Sequence, residues 1–103
     1  MPAPPLKPPI SDAAGEFGRR VRARRLELEM SQEDLAESSE LHWSYLGQVE
    51  RGQNNLTLHN ILKVAAALDM DPGRLMKGLT PPPSQPDAPA RRSRVKGPRR
   101  RST

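Results

Sequence analysis

Proline is confined almost entirely to the two ends of this 103-residue chain. Eleven of the twelve prolines lie there, and only Pro72 falls in between. A proline ring fixes φ and removes a backbone hydrogen-bond donor, so the two ends cannot form regular helices or sheets. We therefore predict one folded domain at 11–79, a disordered Pro-rich leader at 1–10, and a disordered Pro-rich and basic tail at 80–103.

The charge of the chain is divided along the same boundaries. Residues 11–79 hold nine Lys and Arg against eleven Asp and Glu, whereas residues 80–103 hold seven Arg and Lys against one Asp. The net charge of +5 therefore originates in the tail, and the predicted domain is slightly acidic. If the protein binds DNA, the seven cations of the tail would add affinity that depends on salt and not on the DNA sequence. A solvated tail without a binding role is the alternative.

Several classes of protein are not expected from this composition. The chain contains no cysteine, its two histidines are isolated, and no glycine-rich phosphate loop or cluster of His, Asp and Glu is present. We therefore expect no metal, no cofactor and no enzymatic activity. No apolar stretch is long enough to cross a membrane, and no apolar leader follows Lys7. We expect a cytoplasmic, nucleoid-associated protein.

Apolar residues recur at helical spacing through the predicted domain, which favours an all-α fold of five helices. Capping residues predict the helix starts, since a side-chain acceptor satisfies free amide hydrogens at a helix N-terminus. The predicted helices run from Ser11 or Asp12 to about 29, then over 32–38, 42–50, 58–68 and 72–78. The apolar faces of the first and fourth helices are predicted to hold Phe17, Val21, Leu28, Leu58, Ile61, Leu62, Ala65 and Leu68.

The second and third predicted helices, within residues 31–51, are joined by a short turn and form a helix-turn-helix unit. Their inward positions are apolar: Leu35, Ala36, Leu41, Leu46 and Val49. The outer face of the third helix is uncharged and rich in hydrogen-bonding groups, and it holds Trp43, Ser44, Tyr45, Gly47 and Gln48. Such a face suits a surface that reads DNA.

The residues of this unit resemble the phage-repressor (Cro/repressor, XRE) helix-turn-helix family. The resemblance spans residues 13–79, and it rests on SQEDLA at 31–36, Leu46 and Val49, ERG at 50–52, TL at 57–58 and the A-x-A-L pattern of the fourth helix. It implies a compact five-helix, lambda-repressor-like domain. The third helix, about 42–50, would lie in the major groove of double-stranded DNA. The implied function is a sequence-specific transcriptional regulator of the XRE type.

Nine residues are candidates for DNA contact: Gln32, His42, Trp43, Ser44, Tyr45, Gln48, Arg51, Asn54 and Asn55. By the resemblance, Gln32 matches a sugar-phosphate contact, and Trp43, Ser44 and Gln48 match base-facing positions. His42 and the loop at 53–55 match backbone-contacting positions. The amide of Gln48 both donates and accepts, so it can pair bidentately with adenine.

Three of these assignments have structural alternatives. Trp43 is either a thymine or sugar contact or a side chain packed on the domain itself. Tyr45 either reaches a phosphate with its hydroxyl or serves packing alone. The loop with Asn54 and Asn55 is either a phosphate contact or an ordinary solvated turn.

Arg25 and Glu50 match a partly buried ion pair that links the first helix to the end of the third in the family. An arginine on an apolar stripe needs such a partner, because an unpaired buried charge is costly. Three positions depart from the family. Glu40 replaces the usual glycine of the turn, His42 replaces a Ser or Thr cap, and Leu56 replaces a common proline.

A second function is compatible with the sequence, namely a protein-interaction or antitoxin-like module with autoregulatory DNA binding. Its protein partner is unknown. Helix-turn-helix units usually dimerise to gain affinity, so a homodimer is possible. The fifth helix, with Leu75, Met76 and Leu79, is the expected contact surface of such a dimer, although these residues also suit a core.

Overall fold

The computed structural model of the chain describes residues 7–83. The helices are α1 (Asp12–Glu27), α2 (Gln32–Ser39), α3 (Trp43–Glu50), α4 (Leu58–Ala67) and α5 (Pro72–Met76). These five helices confirm the predicted all-α fold, and no strand occurs between residues 7 and 83. Most of the predicted leader and tail, residues 1–6 and 84–103, lies outside the described residues, so the domain boundaries stay a prediction.

The helix starts agree with the capping residues in the sequence. The Ser11 hydroxyl accepts a hydrogen bond from the Ala14 amide at 3.0 Å. Ser31 and Asp34 form a reciprocal capping box, with both bonds at 2.9 Å. Thr57 caps α4 in the same manner as Ser11 caps α1. These caps satisfy amide hydrogens that have no partner inside the helix, and so they fix where α1, α2 and α4 begin.

One core joins all five helices, and α3 lies against both α1 and α2. The buried apolar residues are Phe17, Val21, Leu35, Leu46, Val49, Val64, Ala65, Leu68 and Leu75. Met30, Ala36, Leu41 and Tyr45 are among the half-buried residues that pack around this core. Burial of Leu46 and Val49 holds the inner face of α3 against α1 and α2, which turns the opposite face of α3 outward.

The crossing of α1 and α3 depends on Gly18. A Cβ atom at this position would overlap the backbone oxygens of Val49 and Glu50. Only glycine therefore allows the two helices to approach this closely. Sequence periodicity did not indicate this crossing point.

The predicted ends of α1 and α5 lie about two residues too far along the chain, and the other predicted helix bounds differ by at most one residue. α1 ends at Glu27, Leu28 is its C-cap, and Glu29 adopts a left-handed conformation with φ 57°. Leu28 is consequently exposed rather than part of the apolar face. α5 ends at Met76 rather than near Gly78, because Lys77 leaves the helix with ψ 128°.

Two predicted core residues of α4 are also exposed. Leu58 and Leu62 retain 67% and 43% of their accessible surface. Ala65 and Leu68 are buried as predicted, Ile61 is half-buried, and Val64 takes an inward position that the predicted stripe did not include. The helix is therefore rotated relative to the predicted stripe, and it presents two leucines, one turn apart, to solvent.

Candidate nucleic-acid interface

The N-terminus of α3 is built from His42, Trp43 and Ser44. His42 is the N-cap, and its Nδ1 accepts from the Ser44 backbone amide at 3.1 Å and lies 2.7 Å from the Ser44 hydroxyl. Nδ1 is thus an acceptor, which leaves Nε2 to carry the ring proton. His42 also stacks on Trp43, with ring centroids 5.9 Å apart.

Trp43 leaves 54% of its surface exposed at this end of the helix. A tryptophan so exposed offers an indole N–H and a large apolar face to a ligand. Ser44 is exposed beside it. Gln48, four residues after Ser44, lies one helical turn farther along the exposed side of α3.

Tyr45 and Gly47 belong to the inner side more than the outer side. Tyr45 is half-buried against the core, and its hydroxyl accepts a hydrogen bond from the Asn60 side chain of α4 at 3.0 Å. Gly47, placed on the outer face by the sequence pattern, is buried. A Cβ at Gly47 would lie 3.1 Å from Arg51 Nη1, so the Arg51 side chain folds back over this glycine.

Gln48 is exposed and is held by the loop that follows α3. Its Oε1 accepts a hydrogen bond from Asn54 Nδ2 at 2.8 Å. Asn55, the next residue, is exposed. The structure therefore brings Asn54 to the recognition face, whereas Asn55 lies farther along the loop.

Gln32, at the start of α2, joins a buried charged network. Arg25 donates from Nε and Nη2 to the two carboxylate oxygens of Glu50 at 2.6 and 3.0 Å. Gln32 Nε2 donates to Glu50 Oε1 at 3.1 Å. The ion pair expected from the sequence is thus present, and it also orients the candidate phosphate anchor. Gln32 keeps a second amide hydrogen for an outside acceptor.

Arg25 is 6% exposed and Glu50 is 9% exposed. Their hydrogen bonds raise the pKa of the Arg25 guanidinium, although burial alone would lower it. Arg25 makes a third hydrogen bond, from Nη1 to the Met30 carbonyl oxygen at 2.8 Å. The buried guanidinium thus has three hydrogen-bond acceptors inside the domain.

Two other arginines of α1 serve the fold. Arg20 donates to the carbonyl oxygens of Leu75 and Lys77 at the end of α5. Arg24 donates to those of Leu68 and Asp69 at the end of α4. Both satisfy carbonyl groups that a helix end leaves free. These partners lie 44 to 57 residues away along the chain, so the sequence pattern does not indicate them.

The residues before α1 add contacts that the sequence did not indicate. The Ile10 amide donates to the Gly52 carbonyl oxygen at 2.8 Å. The side chain of Gln53 donates to the carbonyl oxygens of Lys7 and Pro8 at 3.3 and 2.6 Å. The end of the leader therefore braces the loop after α3, and it brings Lys7 near that loop.

Residues 7–83 show neither a cluster of side chains suited to a metal nor a helix suited to cross a membrane. The helix that precedes α3 in the sequence carries three exposed acids: Glu33, Asp34 and Glu37. The outer face of α3 itself carries no charge before Arg51. This site is built for hydrogen bonding and apolar contact, with few cations.

The comparisons with known proteins agree with this geometry. Residues 21–75 match the model of a family described as helix-turn-helix. The chain belongs to this helix-turn-helix family. It is a DNA-binding transcription regulator of the Cro/C1 (XRE) type and not an enzyme, which confirms the expectations from the sequence.

One relative of known sequence is the control protein C.BamHI of Bacillus amyloliquefaciens. It is 44% identical over 65 residues, which are 62% of this chain and 80% of the relative. The solved restriction-modification controller protein C.AhdI from Aeromonas hydrophila is 52% identical, with a TM-score of 0.59 over 60% of this chain and 94% of that one.

A second similar structure contains DNA. It is the biofilm-formation regulator SinR in complex with DNA, 34% identical, with a TM-score of 0.57 over 59% of this chain and 98% of that one. The fold is thus shared by controller proteins and by a DNA-bound regulator. The individual contact residues of the present chain remain predictions.

Proposed function

We propose that this helix-turn-helix protein inserts α3 into the major groove of a specific DNA site. Trp43, Ser44 and Gln48 contact base edges. Gln32, His42, Arg51, Asn54 and Asn55 face the sugar-phosphate backbone, with the Tyr45 hydroxyl as a further phosphate contact. The observation that carries the proposal is the outward, uncharged and exposed face of α3, which burial of Leu46 and Val49 fixes in position.

Phosphate binding is supported by the start of α2. The Gln32 side chain is held by Glu50, so it is already positioned before DNA arrives. The N-terminus of a helix also presents free amide hydrogens and a positive dipole end to an anion. This geometry supplies attraction to phosphates where the domain has few cations.

We also propose that two copies bind together. A single helix-turn-helix domain reads a half-site, and a dimer reads two half-sites that are about one helical turn of DNA apart. Leu58, Leu62 and Met76 are exposed, at 67, 43 and 41% of their surface. They lie on α4 and α5, and burying them against a second copy would remove apolar surface from water. The sequence predicted a dimer contact through Leu75, Met76 and Leu79 of the fifth helix. Leu75 cannot contribute to it, because its side chain is buried in the core.

The dimer is tested by sedimentation velocity at micromolar concentration. Wild type is expected to sediment as a dimer, and the double variant Leu58→Lys and Leu62→Lys as a folded monomer. Leu26→Lys is the matched control, because Leu26 is also exposed but lies on α1. A double variant that remains dimeric contradicts this surface.

The genes that this protein regulates are suggested by the names of its relatives. C.BamHI is named as a control protein, and C.AhdI as a restriction-modification controller. We propose that this protein, acting in the cytoplasm at the nucleoid, likewise controls a restriction-modification system. Mapping the bound motif onto the genome tests this: sites upstream of such genes are expected, and sites confined to unrelated promoters contradict it.

Selection of bound DNA from a random pool tests whether the protein recognises a specific DNA sequence. Wild type is expected to enrich one motif, and Gln48→Ala is expected to relax one base position within each half-site. Absence of any enriched motif would overturn sequence-specific reading by this domain. An unchanged motif for Gln48→Ala would remove that residue from the base contacts.

A further inference from the structure

The end of the leader is bound to the loop that follows α3. The Ile10 amide donates to the Gly52 carbonyl oxygen at 2.8 Å. The side-chain Nε2 of Gln53 donates to two further carbonyl oxygens of the leader, those of Lys7 at 3.3 Å and Pro8 at 2.6 Å. These bonds tie two points of the leader to one short loop, so the backbone of Lys7 is positioned before any ligand is present.

Pro9, between these two points, is packed against two buried glycines. A Cβ atom at Gly15 would lie 3.1 Å from Pro9 Cγ, and a Cβ atom at Gly52 would lie 2.8 Å from Pro9 Cβ. The left-handed φ of 74° at Gly52 also favours glycine. Residues of α1 and of the loop therefore form a close-fitting seat for the proline, and the end of the leader is part of the folded domain.

The same loop reaches the exposed side of α3. Asn54 Nδ2 donates to Gln48 Oε1 at 2.8 Å, whereas Gln53, one residue earlier, holds the Lys7 backbone. Two neighbouring side chains of one loop thus connect the recognition helix with the leader. A lysine side chain is a flexible stem that ends in an ammonium group, so Lys7 can extend its charge to phosphates beside the groove in which α3 lies.

Few cations of the domain are available to phosphates. Lys7 is exposed and forms no ion pair with any residue between 7 and 83. Its ammonium can therefore bind a phosphate without first breaking an ion pair of the protein. Four arginines of α1, by contrast, already donate to acceptors within the domain: Arg19, Arg20, Arg24 and Arg25.

We propose that Lys7 contacts the DNA backbone and that Gln53 is the positioning residue that holds Lys7 beside the recognition helix. The proposal rests on the proposed insertion of α3 into the major groove, and it adds a contact from outside the helix-turn-helix unit. The family resemblance places the loop with Gln53 on the backbone directly, whereas here Gln53 acts through Lys7. A lysine binds phosphate as a point charge, so this contact adds salt-dependent affinity and no sequence information.

The experiment compares five full-length proteins: wild type, Lys7→Ala, Gln53→Ala, the double variant of both, and Lys77→Ala. Fluorescence anisotropy measures binding over a series of salt concentrations, to the duplex that wild type selects from a random pool and to a scrambled duplex. Lys77→Ala is the matched control, because Lys77 is also an exposed lysine but lies at the end of α5. Circular dichroism checks that each variant is folded.

Lys7→Ala is expected to weaken binding to both duplexes by about five- to tenfold at low salt. It is also expected to reduce the steepness of log K against log salt by about 0.9 for each bound copy. Gln53→Ala removes no charge, yet it is expected to reduce the same slope in part, because it releases Lys7. The double variant is expected to bind no more weakly than Lys7→Ala. Lys77→Ala is expected to bind like wild type, and all five proteins are expected to select the same motif.

Three results would overturn the proposal. In the first, Lys7→Ala keeps the affinity and the salt slope of wild type. In the second, Lys77→Ala reduces both as much as Lys7→Ala does, so that net charge alone is responsible. In the third, the losses from Lys7→Ala and Gln53→Ala add up in the double variant, so that Gln53 acts independently of Lys7. These results leave the proposed function intact, whereas a wild type that selects no motif would overturn the proposed function and this proposal with it.

Discussion

Two polar contacts of similar length lie on opposite sides of α3, and they differ in burial. On the inner side, Arg25 and Glu50 are bonded at 2.6 Å and are nearly inaccessible. On the outer side, Gln48 and Asn54 are bonded at 2.8 Å and are open to water. Water can replace the outer contact but not the inner one, so the inner pair determines stability and the outer pair determines what the helix presents.

The largest effect is expected from removing one partner of the inner pair. Glu50→Ala leaves the Arg25 guanidinium buried without its counter-charge, which costs about 3–5 kcal/mol of unfolding free energy. Thermal and urea unfolding measure this loss. Glu37→Ala, at an exposed acid of α2, is the control and should change stability by less than about 0.5 kcal/mol. If the two variants are equally stable, the buried Arg25–Glu50 pair does not determine the stability of the domain.

Gly18→Ala tests the close crossing on the inner side. In an ordinary helix this substitution is stabilising, because alanine loses less entropy than glycine. Here the new methyl group would overlap backbone oxygens of α3, so a loss of about 1–3 kcal/mol is expected from urea unfolding. A stabilised variant would contradict the crossing, since the sign itself distinguishes the two cases.

On the outer side, substitutions should alter binding and leave stability nearly unchanged. Trp43→Ala and Gln48→Ala are expected to change the unfolding free energy by less than about 0.5 kcal/mol, because both side chains are exposed. Each is expected to weaken binding to the selected site by about 1–3 kcal/mol. Anisotropy titration and thermal unfolding on the same preparations check this. Parallel losses of both quantities would mean that the outer face also supports the fold.

A smaller effect is expected at the turn between α2 and α3. Glu40 adopts a left-handed conformation with φ 61°, which costs a residue with a Cβ about 1 kcal/mol. Glu40→Gly should therefore raise the unfolding free energy by about this amount. Glu37→Gly lies inside α2 and should lower it by about 1 kcal/mol. If both glycines destabilise the protein, the strain assigned to Glu40 is absent.

The sequence was informative where the cause of structure is local. Ser11, Ser31 and Thr57 start helices through bonds to residues three positions on, so their role is visible in the sequence itself. The Arg25–Glu50 pair required the family resemblance, because 25 residues separate the partners.

Other features depend on how the helices pack, and residue type alone does not reveal them. Leu58 and Leu62 fit a helical stripe but face solvent, because the helix turns Val64 into the core beside Ala65 and Leu68. The bond from Asn54 to Gln48 follows from the path of the loop after Gly52. A pattern of residue types predicts which groups are available, whereas the path of the backbone decides which of them remain free.

The central claim is that the outer face of α3 contacts DNA. It is tested most directly by NMR titration of the ¹⁵N-labelled protein with the selected duplex. The largest changes in amide shift are expected at residues 42–48 and at the start of α2. Little change is expected on the side of α1 that faces away from α3. Shifts concentrated on α4 and α5, with residues 42–48 unchanged in the bound state, would contradict the account.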